Sequence, residues 1–157
     1  MTDNSHSDID RAGDLLLLLG CKGEQKTVRV SSKILSLASP VFAVMLSRIF
    51  AEGQNSGDEN WTVSLSHDDT EAMLTVLRVL HFKPTCTTET SLLFLAKMAE
   101  VCEKYDLTEP LKGWTEAALR HGGEIHGELG SSKLLKISCA LGSHQAFWLS
   151  SYKIIMR

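Results

Sequence analysis

The chain has 157 residues, of which 43% are hydrophobic and 22% charged, the balance of an ordinary globular protein able to bury roughly 70% of its unfolded surface without disulfide or metal staples. Its formal charge is -3 and no basic block appears, which argues against direct nucleic-acid binding, since phosphate contacts need clustered positive charge. The apolar run Leu15–Leu19 is five residues long, against the about 18 of a membrane span, and the N-terminus lacks the basic and apolar regions of a secretory signal. An intracellular protein of the cytoplasm or nucleus, neither secreted nor in a membrane, is expected.

Residues 1–12 are polar with one branched aliphatic, Ile9, and read as a disordered arm. The leucine run ends at Gly20, and after a turn Val28 and Val30 share a face with Arg29 opposite; this predicts a strand, a tight turn and a second strand. Ser32 is placed to cap a short helix over 33–38. Ser39-Pro40 is a cap followed by a proline at the first helical position, where its missing N–H costs nothing. The second helix fades into the polar stretch 52–60, and Trp61, Val63 and Leu65 alternate as a third strand should.

Asp68 with Glu71 suggests a capping box for a helix carrying Met73, Leu74, Val76, Leu77 and Leu80, ending near His81. After a connection containing Pro84, the residues Leu92, Leu95, Ala96, Ala99 and Cys102 recur at helical spacing. Thr108-Glu109-Pro110 then opens a further helix with Leu111, Trp114, Ala118 and Leu119. The segment 121–130 holds four glycines and reads as a linker. Residues 131–157 read as a helical hairpin, with a cap at Ser131 or Ser132, a stop at Gly142 and a restart at Ser143. Trp114 and Trp148 are expected in cores, while the abundance of apolar residues leaves room for one face open to a partner.

No catalytic constellation is visible. Cys21, Cys86, Cys102 and Cys139 form no C-x-x-C pair, and nucleophile-elbow, phosphate-loop and dinucleotide motifs do not occur after a strand. His121, His126 and Glu128 offer ligand-type side chains, but their spacing does not share one helix face, and the segment reads as solvated linker. No cofactor and no metal are expected.

The stretch Val28-Arg29-Val30-Ser31-Ser32-Lys33-Ile34-Leu35-Ser36-Leu37-Ala38-Ser39-Pro40-Val41-Phe42, with Gly13-Asp14 before the first strand, resembles the BTB (POZ) domain. The helix pair containing Ala96, Ala99, Cys102-Glu103-Lys104-Tyr105-Asp106-Leu107 and Leu111 is similar to that family's as well. The likeness covers roughly residues 13–120, and Trp114 together with the helical extension resembles the group common in filamentous fungi. The resemblance implies an α+β fold, with a short three-stranded sheet flanked by a cluster of helices over 13–120, followed by the linker 121–130 and the extension 131–157. It also implies a non-enzymatic protein-protein interaction module. Many such adaptors bind a cullin scaffold for ubiquitin ligation through a hydrophobic-x-Glu motif after the cap-proline helix, where Phe50-Ala51-Glu52 stands here; Tyr105 matches a further cullin-facing position.

Three departures accompany the likeness. Ser31 stands where many members carry His after the second strand, so a hydrogen bond between Asp14 and an imidazole there is not expected, and a hydroxyl replaces it at most in part. The Asp-rich arm does not resemble the amphipathic helix exchanged in BTB transcription-factor dimers. No zinc finger, kelch repeat or other substrate-reading domain is expected beside the module, so an adaptor of this kind is expected to carry its substrate site on the module itself or on a bound partner. The alternatives are a homo-oligomerising scaffold, such as a homodimer, or a transcription-associated protein without its own DNA-binding domain. From another class comes a small cysteine- or metal-dependent hydrolase using Cys86 or the 121–128 segment.

Overall fold

Alternation decides the conformation of the leucine run. Leu15, Leu17 and Leu19 are fully buried and Leu16 and Leu18 half-buried, in a strand paired on both edges; the side-chain period of two sends alternate leucines to opposite faces. This is seen in a computed structural model that describes residues 7–21, 25–47, 49, 52, 61–85, 91–121 and 128–156. The chain is α+β and divides into two units, Met1–Pro84 and Thr85–Arg157. That boundary falls at the Pro84 connection, inside the stretch 13–120 expected as one domain.

In the first unit, β1 (Ser7–Asp8), β2 (Leu15–Leu19), β3 (Lys26–Val30) and β4 (Thr62–Leu65) form a mixed sheet in the order β1-β3-β2-β4. The expected hairpin is antiparallel, with Leu15 opposite Val30 and Leu17 opposite Val28. Strand β4 runs parallel to β2, pairing Leu17 with Val63 and Leu19 with Leu65, so the buried faces of the two strands coincide. Gly20, with φ 89°, leaves β2 in a backbone conformation that costs glycine little.

The arm is ordered from Ser7, which corrects the expectation of disorder over 1–12. Ser7 and Asp8 pair in parallel with Val28 and Arg29, and Ile9 is buried. Main-chain pairing needs no apolar side chain, and the Arg29 guanidinium approaches the Asp8 carboxylate at 3.9 Å.

Helices α1 (Ser32–Ala38) and α2 (Pro40–Met45) follow β3 directly. The cap of α1 is Ser31, one residue earlier than expected, its hydroxyl accepting from the Ile34 N–H. Ser39 both ends α1 and caps α2, accepting from the Phe42 N–H at 3.0 Å, and Pro40 takes the first helical position as expected. Leu35 and Phe42 turn their side chains into the core. After β4, α3 (Thr70–Leu80) is capped by Asp69 in place of the expected Asp68, and buries Met73, Leu74, Val76, Leu77 and Leu80.

The second unit holds α4 (Leu92–Tyr105), α5 (Thr108–His121), α6 (Glu128–Ala140) and α7 (His144–Ile155). Helix α6 begins at Glu128, so the last three positions of the expected 121–130 linker are helical and no serine cap operates at Ser131 or Ser132; residues 122–127 lie outside the described residues. Gly142 has φ 66° and ends α6, and Ser143 caps α7 by accepting from the Ala146 N–H, both as the sequence implies. The core assignment of Trp148 fails, since it is 62% exposed, and Cys139 is exposed as well. Trp114 is half-buried, its indole N–H donating to the Thr85 hydroxyl at 2.9 Å.

Candidate functional site

The sequence directs attention to the chain that leaves α2. This helix ends at Met45, where Ser47 bonds back to the Val44 carbonyl that a further turn would need. Leu46 N–H donates to Phe42 O at 2.8 Å, and the Ser47 hydroxyl folds back onto Val44 O at 2.6 Å. Such side-chain bonding competes with helical continuation. Val44, within the helix, and Ile49, beyond it, face solvent. Glu52 is exposed, and its backbone carbonyl accepts a hydrogen bond from the indole N–H of Trp61, whose ring is buried at the head of β4. A core aromatic thus ties down the main chain of Glu52, and its carboxylate lies on the exposed side. Phe50, the other residue of the expected motif, lies outside the described residues, as does Ala51.

Tyr105 requires a correction. It is 2% exposed, so its ring is not offered to a partner. Leu95, Met98, Cys102 and Tyr105 recur at spacings of three and four along α4 and form one buried stripe. Asp106 ends the helix in the left-handed conformation, with φ 51°, and Leu107 N–H donates back to Cys102 O at 2.9 Å. The Lys104 ammonium lies 5.1 Å from the centre of the Tyr105 ring, within cation–π range.

A polar junction joins the sheet to α1. The carboxylate of Asp14 accepts from the Ser32 N–H at 2.8 Å and from the Ser32 hydroxyl at 2.6 Å. It therefore satisfies an otherwise unpaired donor at the start of α1, where the helix dipole also favours a negative charge. Burial acts to raise the Asp14 carboxyl, but the side-chain and backbone bonds from Ser32 outweigh it, and the pKa is lowered from its ordinary value. The hydroxyl beside Asp14 belongs to Ser32 and not to Ser31. An imidazole arrives on Ser31 from elsewhere: Ser31 N–H donates to His81 Nε2 at 3.1 Å, while His81 Nδ1 lies 2.8 Å from Leu77 O. With Nε2 accepting, the proton sits on Nδ1 and is donated to that carbonyl.

Burial pushes the Cys102 thiol up to about 12, which keeps it protonated and inert as a nucleophile. No group of three metal-ligating side chains occurs among the described residues. Cys86 and most of the 121–128 segment, on which a hydrolase would depend, lie outside them. Among described residues no helix is long and apolar enough to cross a membrane.

One surface was missed in the sequence. On α7 the rings of Trp148 and Tyr152 stack with centroids 5.6 Å apart and planes 14° from parallel, and both are exposed. The available signal was the placement of small residues: Ser143 and Ser150 are buried and Ala146 half-buried, so the helix packs by its small side chains. No known protein-family model matches this chain, and no curated protein sequence matches it either.

Proposed function

We propose that the chain is a non-catalytic protein-interaction module of the BTB type, which binds a cullin scaffold through the segment after α2, with Glu52 as the polar contact. The observation that carries this reading is the order of elements in the first unit. An antiparallel hairpin leads into two short helices, the second opened by Ser39-Pro40, followed by a strand parallel to the first and another helix. That order, together with Gly13-Asp14 at the entrance to β2, supports the resemblance read from the residues.

The carboxylate of Glu52 is exposed while its main chain is held by Trp61. A held main chain lowers the cost of ordering this segment on binding, and interfaces concentrate their energy in a few contacts. Tyr105, being buried, supports the fold of α4 and takes no direct part in this reading.

Light scattering on a sizing column tests it, with the chain alone and then mixed with the N-terminal domain of a BTB-binding cullin. A co-eluting peak with the summed mass, lost in Glu52→Lys, is the expected result. No complex at tens of micromolar, or a complex indifferent to Glu52→Lys, overturns it.

A further inference from the structure

Helix α7 is built with its large side chains outward. Trp148, Tyr152 and Ile155 follow the i, i+4, i+7 spacing of one helix face, with Leu149 and Met156 beside them, and all five are exposed. Ile155 is 78% and Met156 67% accessible. The opposite side of the helix presents Ala146 and Ser150, small residues that let α7 lie close to its neighbours α5 and α6. Scattered exposed apolar residues need no explanation, but a contiguous stripe of this kind does.

The size of the stripe points to its occupant. Taking about 200 Å² for a large apolar or aromatic side chain, the five residues leave roughly 600 Å² open, and the flanking Phe147 and Ile154 raise this to about 770 Å². Two such faces together cover about 1,200–1,500 Å², within the range of specific, stable interfaces. Its chemistry points the same way. None of these seven residues carries a charge, and Lys153 is the one charged residue between Phe147 and Met156, so the face offers no carboxylate and no cluster of charge for an oppositely charged partner to pair with. Apolar faces of this kind are the mark of homodimer interfaces, and two-fold pairing is the commonest assembly. The Trp148–Tyr152 stack fixes both rings before contact, which lowers the cost of ordering them at an interface.

We propose that the exposed face of α7 is a self-association surface, through which two copies of this chain pair about a two-fold axis with Trp148 and Tyr152 at the centre. This surface lies on a different element from Glu52 and does not rest on the cullin contact.

Sedimentation equilibrium of the full chain between about 1 and 100 μM tests the proposal. The native chain is expected to reach the dimer mass. Trp148→Glu is expected to weaken the dimer at least about 30-fold, the loss typical of a central aromatic anchor, and Ile155→Lys to do the same from the end of the helix should the first variant fail to fold. Circular dichroism identifies a variant that has lost its helices. A native chain that stays monomeric over the whole range, or a dimer unaffected by both folded variants, overturns the proposal. The two surfaces separate cleanly: Glu52→Lys is expected to leave the dimer intact, and Trp148→Glu to leave cullin binding intact.

Discussion

Asp14 is the point at which the sheet is fastened to the first helix, and replacing it tests that junction. Charge-assisted hydrogen bonds contribute about 1.5–3 kcal/mol each when sheltered. Both bonds from Ser32 lie at an exposed rim, where solvent competes, so together they contribute about 2 kcal/mol. Asp14→Ala is expected to lose all of this. Asp14→Asn keeps an acceptor for the Ser32 N–H but presents an amide N–H₂ to the hydroxyl, and is expected to lose about half. The dependence on pH has a definite sign. Because the folded-state pKa of Asp14 lies below its ordinary value of 3.8, the carboxylate's contribution is complete above that value and is lost as pH falls through the lower folded one. Urea unfolding followed by circular dichroism at pH 7, and then stepwise toward pH 3, reads both effects, and exchange of the Ser32 amide reads the bond itself. A deficit for Asp14→Ala below about 0.3 kcal/mol at pH 7 would place it among neutral surface changes and refute the reasoning, as would a deficit that does not narrow on acidification.

Other consequences are equally concrete. Phe82 is 94% exposed and has φ 55°, at a helix end where Lys83 N–H reaches back to Arg78 O. Glycine suits this position, and Phe82→Gly is expected to stabilise the chain by about 1 kcal/mol in urea melts; a loss of stability would show that the ring contributes to the fold. Gly13→Ala would drive a Cβ into the Val30 carbonyl, a backbone group within the sheet, and is expected to cost about 1–3 kcal/mol by thermal or urea unfolding. In native thiol labelling read by mass spectrometry, the exposed Cys21 and Cys139 are expected to react. Cys102, buried with a thiol pushed up to about 12, should react only on unfolding; its labelling at the native rate would contradict the packing of α4.

Elements with strong local signals were legible in the sequence. Ser39-Pro40 marked α2, because a cap hydroxyl and a proline at the first position act within one turn. The Trp61, Val63 and Leu65 alternation marked β4, because one face of that strand is buried. Caps shifted by one residue at Ser31 and Asp69, since adjacent Ser-Ser and Asp-Asp pairs offer two equivalent oxygens and tertiary geometry selects between them. Strand β1 was illegible because it is recruited by main-chain pairing to β3, a long-range contact with no local pattern. Tyr105 and Trp148 were misplaced in opposite senses. Helical spacing shows which residues share a face, but the neighbouring element decides whether that face is covered: the Tyr105 stripe of α4 is covered and the Trp148 stripe of α7 is open.

The most direct test of the interaction module is amide hydrogen exchange of the chain, free and saturated with a cullin N-terminal domain. Protection concentrated in the α2-to-Glu52 segment, absent in Glu52→Lys, is the predicted result. Unchanged exchange across residues 40–52, whether because no complex forms or because the cullin protects another surface, would contradict it.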